Sequence, residues 1–318
     1  MALSTEELKS KAKKGDAESQ CALGYRYETG NGVEKDLYMA YYWYYCSAEQ
    51  KYVVGIYNLA VCYYCGRGTE KDLKRAAELF EEAAVKGYAK AQSYLGTCYK
   101  QGLGVPKNYL QATKWYKKAA DAGEGLAQYN LGVCYYSGLG VAQSYDEAMR
   151  LFLKAADRGI DNAIYWCGYC YYNGNGTAQD YTKAAEFFDR AAQKGIVRAQ
   201  CWLGICYERG HGKPTDYAQA FKWYKKAADS GDAHAIYDMG VCYYNGRGVA
   251  KSYEEALKKF LQAAELGHGG SQYWAGYCYE KGYGVSRDTA IAKAWYTRAK
   301  SNGYADAQKG LDRLAKAK

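Results

Sequence analysis

One register governs this chain. Written in rows of 36 residues from Asp16, it places glycine at 30, 66, 102, 138, 174, 210, 246 and 282, and again two places on, at 32, 68, 104, 140, 176, 212, 248 and 284. Tyrosine falls at 27, 63, 99, 135, 171, 207, 243 and 279, and alanine at 40, 76, 112, 148, 184, 220, 256 and 292. The four columns run through eight rows without an insertion or deletion. Self-similarity at a fixed period of this length marks stacked structural units, each too small to bury its own apolar face. It overrides the usual inference from 318 residues to two or three domains. The expectation is a single array over residues 1–318, with eight repeats over 16–303, an N-terminal cap helix in 1–15 and a C-terminal cap helix in 304–318.

Each row reads as helix A, a Gly-x-Gly turn, helix B and a closing glycine. In the fourth row, helix A runs from Leu126 to Tyr136, with Ala127, Leu131, Cys134 and Tyr135 on one side at helical spacing. Gly138 suits the left-handed residue that ends a helix. Ser144 is the expected N-cap of helix B, in a column that holds Asp36, Asp72, Asn108, Asp180, Asp216, Ser252 and Asp288 in the other rows. Helix B carries Tyr145, Ala148, Phe152 and Ala155 as one apolar stripe. Small residues recur early in helix A (Ser19, Gly55, Ala91, Ala127, Ala163, Ala199, Ala235, Ser271), and glycine recurs at 24 and its equivalents, with Ala60 the exception. Two small columns let neighbouring helices approach closely. Thr5 to Lys14, with Leu8 inward, reads as a lone helix B, and Ala305 to Lys316, with Leu311 and Leu314, as a lone helix A. The total comes to about eighteen helices, and two prolines in the whole chain agree with a mostly helical fold.

The row Ala-Gln-Tyr-Asn-Leu-Gly-Val-Cys-Tyr-Tyr-x-Gly-x-Gly-Val, followed by Tyr-x-x-Ala-x-x-x-(Tyr/Phe)-x-x-Ala-Ala-x-x-Gly, closely resembles Sel1-like repeats, relatives of tetratricopeptide repeats with a longer inter-helix turn. The resemblance spans Asp16 to Gly303 and both caps. It implies an all-α, right-handed α/α superhelix and a role as an adaptor or scaffold for proteins. It implies no shared ligand, because members of the family differ in their partners. Some relatives pair a cysteine at the end of helix B with one in the next helix A; here only Cys46 lies late in a helix B.

A longer period overlies the first. The third and sixth rows share Pro106/Pro214 and Lys-Trp-Tyr-Lys-Lys-Ala-Ala-Asp; the fourth and seventh share Gly-Val-Cys-Tyr-Tyr and Ser-Tyr-x-Glu-Ala; the second and fifth share Thr69/Thr177. A duplicated three-row block follows, so a binding feature of rows 2–4 is expected to recur in rows 5–7.

Few residues offer chemistry. Seven of the twelve cysteines form one column, at 62, 98, 134, 170, 206, 242 and 278. Packed helices lie about 8–10 Å apart, whereas a disulfide needs Cα atoms within about 7 Å, so the column reads as buried free thiols in a reducing compartment. Cys62-x-x-Cys65 and Cys167-x-x-Cys170 lie three rows apart, without a histidine near either in sequence, which argues against zinc. The Gly-x-Gly turns do not continue as phosphate loops. His211, His234 and His268 stand in different columns, without an obvious catalytic partner. Ser10-x-x-Lys13 lacks the companion motifs of penicillin-recognising enzymes. The reading is a non-enzyme without cofactor or metal. No membrane-length apolar run and no leader-like N-terminus are present, so the expected location is cytoplasmic.

The 38 tyrosines supply the candidate function. A second face of helix A runs through positions i, i+4 and i+7: Tyr57-Val61-Tyr64, Tyr129-Val133-Tyr136, Tyr165-Tyr169-Tyr172 and Tyr237-Val241-Tyr244, continued by Tyr273-Tyr277. By resemblance to tetratricopeptide repeats these columns line the concave face. One column over, Tyr94, Trp166, Trp202 and Trp274 alternate with Asn58, Asn130 and Asp238. Tyrosine combines large contact area, a polar hydroxyl and few rotors, which suits a groove for an extended peptide or a helix. The same residues could equally serve inter-row packing. Net charge is +9, and Lys117, Lys118, Lys225 and Lys226 fall in the second half of helix B, where they favour the helix dipole. A nucleic-acid binder using this basic surface is the alternative, although the bases and the aromatics are expected on different faces.

Overall fold

Short polar side chains start helix B of every repeat, and left-handed glycines stop helix A. The computed structural model describes residues 4–316, which form eighteen α-helices and no strand among the described residues. Helix A occupies Ala17–Thr29, Val53–Cys65, Ala89–Gln101, Gly125–Ser137, Asp161–Asn173, Val197–Arg209, Ala233–Asn245 and Gly269–Lys281. Helix B occupies Leu37–Glu49, Leu73–Val85, Tyr109–Asp121, Tyr145–Asp157, Tyr181–Gln193, Tyr217–Ala228, Tyr253–Glu265 and Thr289–Ser301. Thr5–Lys13 precedes the array and Ala307–Lys316 follows it; the remainder of each expected cap segment, residues 1–3 and 317–318, lies outside the described residues. The solenoid forms two compact units, one up to Ile160 and one from Asp161 onward.

All eight expected N-caps are in place. Asp36, Asp72, Asn108, Ser144, Asp180, Asp216, Ser252 and Asp288 each accept the backbone N–H three residues on, satisfying a donor that the first turn would otherwise leave orphaned. The backbone N–H of the same residue donates to the carbonyl of the invariant tyrosine, as from Asp72 to Tyr63 and from Ser144 to Tyr135, both 3.0 Å. That bond closes the inter-helix turn.

The glycine columns have distinct causes. The first of the pair ends helix A in the left-handed region; Gly102 has φ +77°, and a Cβ there would make only an ordinary contact, 3.4 Å from the Lys107 Cβ. The second is also left-handed, but a Cβ on Gly104 would lie 2.5 Å from the Leu73 carbonyl carbon and 2.9 Å from the Lys74 Cα, at the start of helix B in the preceding repeat. The turns of repeats 2, 3, 4, 6, 7 and 8 thus rest directly on backbone of the preceding repeat. The helix-A glycine serves packing within the repeat: a Cβ on Gly132 would meet the Phe152 ring at 2.7 Å, and one on Gly96 the Tyr116 ring at 2.7 Å. These helix-B aromatics (Tyr44, Phe80, Tyr116, Phe152, Phe188, Tyr224, Phe260, Tyr296) are fully buried and form the centre of each repeat, where truncation to alanine costs about 3–5 kcal/mol. Ala148 and Ala155 are buried beside Phe152, but Tyr145, expected on the same stripe, is exposed at the start of its helix, with its ring against Tyr136.

A buried glutamine joins successive repeats. Gln20, Gln92, Gln128, Gln200 and Gln272 donate from Nε2 to the carbonyls of Ala12, Ala84, Ala120, Ala192 and Ala264, near the end of the preceding helix. The N-terminal helix is held in this way, and by a bond from Arg26 to Thr5. At the other end Arg313 donates to Glu280 at 3.0 Å and to the Tyr296 hydroxyl at 3.0 Å. Burial alone would raise the pKa of Glu280; hydrogen bonds from Arg313, Lys281 and Tyr296 outweigh it and hold the carboxyl at about 2.

Candidate partner-binding face

The thiols and histidines come first, because they decide what chemistry the surface can do. All twelve cysteines are free, and the seven-membered column is buried throughout. Burial pushes Cys62, Cys170, Cys206, Cys242 and Cys278 up to about 12, so these sulfurs are neutral packing groups and not nucleophiles. Cys65 is exposed while Cys62 is buried, so that pair shares no site. Among the described residues no group of three or more His, Cys, Asp or Glu side chains could hold a metal ion. Two histidines from different columns do come together: the His234 and His268 rings lie 4.8 Å apart. His268 uses Nδ1 to accept the Ser271 N–H and cap its helix. His211 stacks on Tyr181 at 4.1 Å and bonds the Tyr172 hydroxyl at 2.9 Å.

The tyrosine stripe divides by packing role. In repeats 2, 5 and 7 its first and last positions join repeats. In repeat 2, Tyr57 and Tyr64 flank Tyr94 of repeat 3 at 5.8 and 5.7 Å, and Tyr94 stacks on Phe80 at 5.0 Å. Repeat 5 does the same with Trp202: it lies 4.7 Å from Tyr172, stacks on Phe188 at 5.6 Å and neighbours Tyr165. Repeat 7 does so with Trp274, between Tyr244 and Phe260 and beside Tyr237. Tyr165 and Tyr172 are only 7% and 8% exposed, which puts them in the packing. Tyr129 lies against Phe152, and Tyr136 against Tyr145. Trp166 contacts Tyr165 and Tyr169; Tyr273 contacts Tyr277, Tyr296 and Tyr304. The middle position is partly exposed throughout, as are the first and last positions of repeats 2, 4 and 7. Val61, Val133, Tyr169, Val241 and Tyr277 are all partly exposed, as are Thr97 and Ile205 of the same column. The most exposed member is Tyr25, at 57%; the column rule points to it, although its row lacks the flanking tyrosines that mark the stripe in sequence.

Repeats 1, 3 and 6 form a second kind of junction. The first stripe position shrinks to Cys21, Ser93 or Cys201, the last becomes Glu28, Lys100 or Glu208, the buried helix-B ring gains a hydroxyl (Tyr44, Tyr116, Tyr224), and the next row carries Asn58, Asn130 or Asp238. The structure explains the linkage. Tyr44 donates to Glu28, which also takes Arg67 of the next turn; Tyr224 donates to Glu208, which takes Arg247 in the same way. A buried hydroxyl needs a partner, an acid for Tyr44 and Tyr224 and the Thr97 hydroxyl for Tyr116, whereas phenylalanine accompanies the aromatic junction. The chain alternates two packing chemistries on one backbone.

The basic surface departs from expectation. Aromatic and basic side chains share the outer part of helix B: Lys118 lies 4.3 Å over Trp115, Lys226 4.8 Å over Trp223, Arg190 5.2 Å over Phe187 and Arg298 5.4 Å over Trp295. Spacing of three along a helix puts each cation over the ring of the preceding turn, a contact that reading columns separately misses.

Comparison with known proteins agrees with this architecture. The Sel1 repeat model matches eight consecutive windows, 17–52, 53–88, 89–124, 125–160, 161–196, 197–232, 233–268 and 270–304. The crystal structure of c5321, a protective antigen of uropathogenic Escherichia coli strains with an SLR fold, is 33% identical over 98% of this chain and 67% of its own, with a TM-score of 0.82. A Sel1 repeat protein of Oxalobacter formigenes is 28% identical over 77% of this chain and 96% of its own, with a TM-score of 0.71. No curated protein matches the chain. Among the described residues no helix is long and apolar enough to cross a membrane. Eight matched windows in unbroken succession, with the turns, caps and glycine contacts described above, make this chain a member of the Sel1 repeat family.

Proposed function

We propose that this protein is an interaction scaffold that holds a segment of another protein along the middle column of the helix-A face. The observation that carries this reading is the division of roles along the stripe. In repeats 2, 5 and 7 the first and last positions are committed to aromatic contacts that join repeats, while Val61, Val133, Tyr169, Val241, Tyr277 and Tyr25 keep apolar surface accessible to solvent. Rigid aromatic junctions on either side present that surface at low entropic cost to a ligand. The family is one of protein-binding solenoids, and the free thiols suit a reducing compartment.

A pull-down with mass spectrometry identifies the partner, and substitutions in the middle column test the face. Val133→Lys and Val241→Lys place a flexible charged chain on the surface without emptying any core site, so the fold is retained by circular dichroism. Each is expected to weaken the partner at least tenfold. Undiminished binding by both variants defeats the proposal.

Nucleic acid is the second reading, favoured by the cation–aromatic pairs of helix B. It ranks lower because the chain's own Lys118, Arg190, Lys226 and Arg298 already lie over those rings. A phosphate-dominated interaction loses affinity steeply between low and moderate salt, and a salt titration of the captured complex separates the two.

A further inference from the structure

The junction between repeats 6 and 7 carries an open-sided cavity of about 450 Å³, within the range that holds a ligand side chain. Its origin is a local departure from the repeat. Cys201 stands where repeats 2, 4, 5, 7 and 8 carry tyrosine, and Asp238 stands where repeats 3, 5, 6 and 8 carry an aromatic ring. Two large side chains are therefore missing from one spot, and the walls that remain include Tyr165, Trp202 and Tyr237. The equivalent place between repeats 1 and 2 is closed by a bond from Asn58 Nδ2 to Cys21 Sγ, 3.3 Å.

Asp238 is the anomaly. The other acids of the neighbourhood have partners: Asp232 accepts the Ala235 N–H at 2.9 Å and faces the Cys201 thiol, and Glu208 takes Tyr224 and Arg247. The Asp238 carboxylate enters no hydrogen bond or ion pair among the described residues. A desolvated carboxylate without a partner opposes folding, and burial, with Glu208 and Asp232 nearby, pushes its pKa up to about 7. Arg209 acts in the opposite sense from a distance, and Arg198 at the rim lies beside the Tyr165 hydroxyl. Burial and His234 hold His268 below its usual pKa, toward the neutral form. The cavity thus offers aromatic faces and a carboxyl group without a partner.

We propose that this cavity seats an arginine side chain of the bound segment, its guanidinium against Asp238 and its plane against Trp202 or Tyr237. A guanidinium meets a carboxylate through two parallel N–H donors and stacks on aromatic faces, both of which an ammonium does less well. The assignment rests on the scaffold reading and names one of its specificity contacts. In the duplicated block the corresponding pair is Ser93 and Asn130, so the cationic preference belongs to the repeat 6–7 junction alone.

Nα-acetyl-arginine amide, its neutral citrulline analogue and Nα-acetyl-glutamate amide are titrated separately into the full chain, with the Trp202 indole N–H followed by NMR and assigned through Trp202→Phe. The arginine compound is expected to saturate with a dissociation constant on the order of 1 mM, and citrulline to bind at least tenfold more weakly. Asp238→Asn, which recreates the side chain found at Asn58 and Asn130, should lose the arginine preference while keeping the wild-type circular dichroism spectrum. Equal binding of arginine and citrulline, no saturable shift, or preference for the glutamate compound overturns the proposal. Val133→Lys lies in another repeat and leaves this titration unchanged. A partner that binds through the middle column without any arginine effect sinks the cavity assignment alone; arginine binding with a partner indifferent to the middle column sinks the scaffold reading alone.

Discussion

Two glycines of one turn, Gly102 and Gly104, test what holds the repeats together. Their backbones are nearly alike, with φ +77° and +72°, so alanine at either must enter the left-handed region. That penalty is about 1–2 kcal/mol. The surroundings differ. A Cβ on Gly102 meets nothing closer than the Lys107 Cβ at 3.4 Å, an ordinary contact, whereas one on Gly104 would lie 2.5 Å from the Leu73 carbonyl carbon. Relief requires the turn of repeat 3 to move about 1 Å off helix B of repeat 2, and overpacking of that kind costs about 1–3 kcal/mol more. Gly102→Ala is therefore expected to cost about 1–2 kcal/mol, and Gly104→Ala about 2–5. Solenoids need not unfold in one step, so the assay pairs chemical denaturation with native-state hydrogen exchange. In Gly104→Ala, exchange should quicken in Leu73–Val85 and Ala89–Gln101, the two helices whose junction is pried open. Equal losses from both variants, or exchange unchanged across that junction, would refute the claim that the second glycine exists for inter-repeat contact.

Other expectations follow from the same structure. Lys51 is the one described non-glycine residue at positive φ, +62°, in a column otherwise filled by glycine; Lys51→Gly should raise stability by about 0.5–1 kcal/mol, read by thermal melting. Asp238 sets a pH dependence. Its folded pKa, about 7, lies above an ordinary carboxylate's 3.8, so the folded state holds the extra proton and stability falls as pH rises from about 4 to 7. At about 1.36 kcal/mol for each pH unit the ceiling is about 4 kcal/mol, and water in the cavity reduces it to about 1–2. Asp238→Asn should match wild type near pH 4 and exceed it by that amount at pH 8; a gap that ignores pH contradicts the assignment. Tyr172→Ala, which empties a site packed by Tyr181, Phe188 and Trp202, should cost about 3–5 kcal/mol. Tyr171→Ala removes a partly exposed ring stacked on Phe187 and should cost about 1–2, measured by denaturant titration.

That last pair inverts what the columns suggest. An unbroken tyrosine column looks like core, yet Tyr135 and Tyr171 are only half-buried; their common duty is the backbone carbonyl that closes the turn. Tyr172, which the columns leave open between groove and packing, is 8% exposed and packed. Column regularity reports what every repeat needs, and a turn hydrogen bond is such a need. It does not report depth, because depth depends on which neighbour lies across the junction.

Periodicity and cap chemistry determined the architecture without coordinates: helix pairs, their starts at Asp36 or Ser144, their left-handed ends, the stacking and the Sel1-like character. These are local or strictly repeating constraints, and a 36-residue register exposes them. Pairings between residues about 37 apart in sequence needed the tertiary structure. Only there do Cys201 and Asp238 meet across a junction, does Arg247 find Glu208, and does a gap open where two rings are absent. Each row by itself shows only a substitution. The physical consequence, a closed aromatic joint or a cavity with an unpartnered carboxyl group, arises when two rows are pressed together.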